Sequence, residues 1–188
     1  VDYNPPFLYR PNAPLMTLPL ASVPRRVGSI CYELLLLGGV LLVAGAVFQP
    51  IFNGLGHPAW LDVLYRVYLV LVLGGYFGFS WCRGGQTLAM KTWKLQLVTT
   101  EGQGLSHQKA AIRYGIALVL LLGVPVLAYF VWQQVSGGDM HTSGWMAASL
   151  LLVPFVWAAW DPERQFLHDR LAGTRVVWVG AKVTPPLA

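Results

Sequence analysis

Long apolar blocks alternate with short polar connections along this chain, and four blocks are long enough to cross a bilayer. A transmembrane helix takes about 20 mostly apolar residues. Residues 27–48, 61–82, 114–135 and 144–160 qualify, the last near the lower limit. Trp60, Trp81, Trp132, Trp145 and Trp160 fall near block ends, where amphipathic rings favour the membrane interface.

Between the blocks the pattern changes. After the second, "GG" breaks the helix, and "TLAMKTWK" reads as a short interfacial helix with its lysines toward lipid headgroups. "LQLVT" then alternates like a strand, "EGQG" is a turn, and Ser106 is an N-cap for the helix entering the third block. After the fourth block, "DPERQFLHDRLAGTRVVWVG" follows the same order: a break at Asp161-Pro162, a short helix around 165–171, a glycine, then the strand-like "TRVVWV". An offset of 79 pairs Gln86 with Gln165, Leu88 with Leu167, Lys91 with Arg170 and Val98 with Val177, a weak internal repeat. Neither strand can satisfy its backbone alone, so strands near 95–99 and 174–179 are expected to pair into a two-stranded β-ribbon.

The expected fold is an all-α membrane protein: a four-helix transmembrane bundle with short interfacial helices and the small ribbon on its cytoplasmic face. Residues 1–24 hold six prolines and should form an extended tail, held down by the cytoplasmic face or by a partner. Residues 25–179 form the transmembrane domain and 180–188 a short C-terminal tail.

Composition agrees with this class. The chain is 55% hydrophobic and 11% charged, where a soluble domain is about one quarter charged. Of its 13 basic residues, three precede the first block, five lie between the second and third, and four follow the last. The thirteenth, Arg66, lies inside the second block, and the other connections carry none. Lysine and arginine collect on the cytoplasmic side, so both termini and the central loop are expected there. The net charge of +5 forms no aromatic-laced basic run, which argues against nucleic acid and for a lipid bilayer as partner. Cys31 and Cys82 read as small buried hydrophobes. No catalytic Ser/His/Asp set, metal-ligand spacing or phosphate-cradling loop is present, so no enzyme, cofactor or metal is expected.

The candidate chemistry is a set of charges at the membrane. Glu33 lies six residues, about 9 Å, into the first block, where an ionised acid is costly. It can be protonated, pair with Arg25 or with Arg26 two turns away, or line a water-filled cavity. Arg66 follows Asp62 by four residues near the outer end of the second block, which suggests an i,i+4 pair. Asp161 before Pro162 is a helix-end turn residue. Asp169, beside His168 and Arg170, is expected to organise the cytoplasmic face, reaching Arg25 or Arg26. His168 reads as a neutral hydrogen-bonding imidazole, with proton relay as the other reading.

Three segments carry a resemblance: Arg25-Arg26 with an acid eight residues after the first arginine, "GGQTLAMK" after the second block, and "HDRLAGTRVV", His168 to Val177, after the last. Together they resemble the RDD family of bacterial membrane proteins, named for one arginine and two aspartates. Glu33 stands where that family has an aspartate, and Ala89-Met90 occupies the place of a glycine before the lysine. The resemblance implies a multi-pass protein of the bacterial inner membrane that transports a small solute or ion, with cation/proton exchange proposed for some members.

Two functions are therefore expected. One is a small carrier or ion exchanger, working as a homo-oligomer, with Glu33 holding the proton or cation and Arg26 tuning it. The other is a non-catalytic subunit or assembly factor of a larger membrane complex, using small-residue stripes such as Gly38-Gly39, Gly74-Gly75 and Gly78, and the Pro-rich tail as a strap.

Overall fold

The computed structural model describes residues 19–55, 58–135, 137 and 139–180. Arg10, Lys182 and the tails up to residue 18 and from residue 181 lie outside the described residues. Four long apolar segments able to span a membrane run through Val23–Leu55, Ala59–Gly84, His107–Val135 and Met140–Ala159.

The first is one helix, α1 (Val23–Leu55), which opens earlier and ends later than residues 27–48. Pro24 falls in its first turn, where a missing N–H leaves no bond unmade. At about 1.5 Å per residue it runs about 50 Å, longer than a hydrocarbon core of about 30 Å. The second, α2 (Ala59–Gly84), stops at Gly85, whose φ of 66° no side chain favours and whose N–H closes on Trp81 O. The third begins as α4 (His107–Leu118), with Ser106 capping the Lys109 N–H. It widens into a π-helical turn, Val119–Gly123, and continues as α5 (Val124–Val135). Pro125 lacks an N–H and crowds the preceding turn, and the π-turn absorbs that defect.

The fourth is not the single helix over 144–160 that hydropathy suggests. It starts at α6 (Met140–Leu150), capped by Asp139. It then breaks at Leu151–Leu152, resumes as α7 (Val153–Val156), and tightens to a 3-10 turn, Trp157–Ala159. Pro154 cannot continue an α-helical ladder but fits the first turn of a new helix.

At one end of these segments lies the ribbon. Helix α3 (Leu88–Thr92) leads into β1 (Leu95–Thr99), and α8 (Leu167–Leu171) leads into β2 (Thr174–Trp178). The strands pair antiparallel from Leu95↔Trp178 to Thr99↔Thr174. The other edge of β2 is covered by the chain just before α1: Leu20 bridges Val177, Ala21 N–H donates to Val176 O at 3.0 Å, and Trp178 N–H to Pro19 O at 2.9 Å. The described end of the Pro-rich tail is thus held by the protein itself.

The internal repeat is structural. Helix α8 lies 79 residues after α3 at both ends, and β2 stands 79 residues after β1. Four of the six described left-handed residues obey the same offset: Gly85 (φ 66°) with Arg164 (φ 52°), and Lys94 (φ 54°) with Gly173 (φ 61°). Leu97 faces Val176, its own counterpart, so a local pseudo-twofold axis passes between them.

The best-buried apolar cluster is under the ribbon, where Ala21, Trp81, Leu95, Leu97, Leu105, Ala110 and Val176 meet. Fully burying each such leucine contributes about 1.5–3 kcal/mol. The spans are inverted: Leu35 and Leu42 are about three-quarters exposed, as a lipid-facing surface requires. Gly28 admits Trp93 of the α3–β1 turn, and Gly74 admits Tyr114 of α4; an added Cβ would stand 2.6 and 2.9 Å from those rings. Gly74 is therefore covered from within and is not part of an outward stripe.

Candidate functional site

Successive positions 26, 29, 30, 33, 34 and 37 trace one face of α1 and form a wall of a cavity of about 300 Å3. Leu73, Phe77 and Trp81 of α2 face it, with Tyr114 to Leu122 of the third segment and Phe155 of α7. The cavity lies beside both irregular stretches, the π-turn and the break before Pro154. Non-helical backbone at membrane depth is tolerated where it is buried in protein or lines a cavity. Most of the lining is apolar, and the charged groups gather at the ribbon end.

Glu33, half-buried in the α1 wall, is not held by an arginine. Its Oε1 accepts the Tyr76 hydroxyl of α2 at 2.6 Å, and its Oε2 accepts the Thr87 hydroxyl. Thr87 also caps α3 by accepting the Met90 N–H, so one carboxylate joins α1, α2 and α3. The expected pairing with Arg25 or Arg26 fails because both guanidiniums are drawn to the ribbon. Arg25 stacks 3.8 Å above the Trp178 ring, outside the cavity. Arg26, 3% exposed, donates Nε–H to Ala21 O at 2.8 Å and lies 5.5 Å from the Phe166 ring.

Asp169 is 1% exposed, and its hydrogen-bonded cation is Arg113 of α4 rather than Arg25 or Arg26. The same Arg113 Nη1 donates to Thr174 Oγ1 at 2.7 Å, fixing α4 to α8 and β2. His168 Nε2 stands 3.6 Å from Asp169 Oδ1. Burial pushes the His168 imidazole below its usual pKa, assisted by Arg113 and Arg26 and opposed by Asp169, which favours the neutral form. For Asp169 burial pulls the carboxyl upward, but Arg113, His168 and Arg26 together overcome it and hold the group below the ordinary carboxylate range.

The remaining charges lie elsewhere. Asp161 Oδ2 accepts the backbone N–H groups of Glu163 and Gln165 at 3.0 and 2.9 Å, closing the turn after the fourth segment. Exposed Arg170 approaches Asp161 at 3.7 Å and Glu163 at 3.8 Å. Asp62 and Arg66 sit one turn apart on α2, toward the end opposite the ribbon. Among the described residues, no group of three His, Cys, Asp or Glu side chains is placed to hold a metal.

The structure thus brings Arg26, Glu33, His168 and Asp169 to one cavity and adds Arg113 and Thr87, with Tyr76 as a hydroxyl partner of Glu33. Arg113 was legible only as a topology charge, although Ser106 as N-cap places it two turns into a helix. Tyr76 carried no signal beyond a hydroxyl within an apolar block.

No curated protein and no solved structure matches this chain. The model of one family, the RDD family, matches residues 20–173. That stretch takes in all four long apolar segments and every charged side chain lining the cavity, so the chain belongs to the RDD family.

Proposed function

We propose that this protein is a carrier in the bacterial inner membrane, passing a small solute or ion through the cavity with a proton carried by Glu33. The basic residues flanking the spans favour cytoplasmic termini and a cytoplasmic ribbon. The carrying observation is that Glu33, a carboxylate within a membrane span, lines a cavity and is held by two hydroxyls instead of a cation. Intramembrane acids that face a cavity mark ion and proton pathways. Its two hydroxyl partners leave the carboxyl group on the cavity wall without a fixed counter-charge.

Proteoliposomes holding a trapped pH dye test this reading. A sodium, potassium or octanoate gradient should drive proton movement faster than in protein-free liposomes, which octanoic acid crosses unaided, and Glu33→Gln should return it to that background while the protein stays folded. Proton movement no faster than in protein-free liposomes for all three would remove the carrier reading. A stoichiometric companion in native mass spectra of the membrane extract would then favour an accessory subunit.

A further inference from the structure

We infer that the cavity takes a small amphiphile with an anionic head, a carboxylate or phosphate oxyanion, seated on Arg26 with its apolar tail among the leucines. This rests on the cavity being the solute site. Four charged side chains line it: Arg113 and Asp169 pair through Nη1 and Oδ1, Glu33 takes two hydroxyls, and Asp169 Oδ2 meets no donor among the described residues. Arg26 is different. Among the described residues it has no carboxylate within ion-pair distance, it is 3% exposed, and its Nη1 has no hydrogen-bond partner. Nε of Arg113, 7% exposed and on the same lining, is also unpartnered. A buried guanidinium whose nearest carboxylates, Asp169 and Asp161, stand beyond ion-pair distance is poorly compensated, and a carboxylate or phosphate oxyanion matches its donors.

The rest of the lining sets the tail. Leu34, Leu37, Leu73, Leu118, Leu121 and Leu122 continue from the charged end and offer no polar group. At about 30 Å3 per water-sized unit, 300 Å3 holds roughly ten heavy atoms. That is the size of a medium-chain carboxylate such as octanoate, or of one lipid headgroup with the start of a chain. A cationic amphiphile of equal length meets Arg26 as a like charge at the head position and finds its counter-charge only at Glu33, and a neutral one leaves Arg26 unpaired.

The test is binding of octanoate to the protein in phosphatidylcholine nanodiscs, read by tryptophan fluorescence, since Trp81 lines the cavity. Octylamine and octanol serve as comparisons. Octanoate should bind about 10–100-fold more tightly than either, as a charge-assisted pair implies. Arg26→Gln should remove that preference, Arg26→Lys should keep part of it, and Leu37→Trp should block octanoate by filling the apolar part. Equal binding of octylamine, or full octanoate affinity in Arg26→Gln, would overturn the assignment. If Arg26→Gln does not fold, the octylamine comparison and Leu37→Trp decide. Adding phosphatidylglycerol distinguishes the sources: displacement of octanoate means a membrane lipid supplies the head, and no displacement means a free carboxylate does. Octanoate binding without proton movement would keep this assignment and remove the carrier reading; cation-driven proton movement without octanoate binding would do the reverse.

Discussion

Tyr76 donates its hydroxyl to Glu33 at 2.6 Å and so joins α2 to α1 at the cavity wall. A hydrogen bond to a charged group contributes about 1.5–3 kcal/mol, and here the acceptor is the group proposed to move the proton. Tyr76→Phe is expected to lower stability by about 1–3 kcal/mol. In a double-mutant cycle with Glu33→Gln the two losses should fall short of additive, because each removes the same contact. Thermal unfolding in nanodiscs measures both.

The pseudo-twofold supplies a second prediction with opposite signs at matched positions. Gly85 and Arg164 occupy equivalent left-handed turns, with φ of 66° and 52°. A Cβ at Gly85 would also stand 2.6 Å from Leu97 O, so Gly85→Ala should destabilise by about 1–3 kcal/mol. Arg164→Gly should relieve strain and raise the unfolding temperature, since glycine adopts that region freely. Equal shifts in the same direction would mean the two turns are not equivalent.

Much of the fold was legible because membrane physics writes it coarsely. Length and hydropathy mark the spans, and the Gly-Gly and Asp-Pro breaks locate the turns. The repeat was visible in only four paired positions, because the pseudo-symmetry constrains backbone more than side chains: Thr87 corresponds to Phe166 and Met90 to Asp169. The site was half legible. An acid in an apolar block announces itself, but its partners come from other helices, and spacing along α1 favoured an arginine that tertiary structure sends to the ribbon. The broken fourth span was missed because hydropathy averages over Pro154.

His168 gives the pH dependence. Its imidazole is held below its usual value mainly by burial, whereas the unfolded chain takes up the proton near pH 6.5. Stability is therefore fully present above about pH 6.5 and falls as the pH drops from there toward the lowered folded value, by at most about 1.4 kcal/mol per pH unit. His168→Phe should flatten that slope. An unchanged slope between pH 7 and 5 would assign it to other groups.

Asp169 is the buried fastening between α4 and the ribbon. Asp169→Asn leaves Arg113 uncompensated and is expected to cost about 3–5 kcal/mol, read as early loss of amide-exchange protection in β2 and at Ala21. The charge held by Asp169 also sets an acid limit. With its carboxyl below the ordinary range, its contribution persists above about pH 4 and is lost as the pH falls through the depressed folded value.

The most direct test of the central claim is infrared difference spectroscopy of the protein in nanodiscs, recorded between neutral and mildly acidic buffer for the native chain and for Glu33→Gln. A carboxyl stretching band should appear on acidification in the native chain and be missing from Glu33→Gln. The same band in both would mean that Glu33 carries no exchangeable proton, and the carrier mechanism built on it would fall.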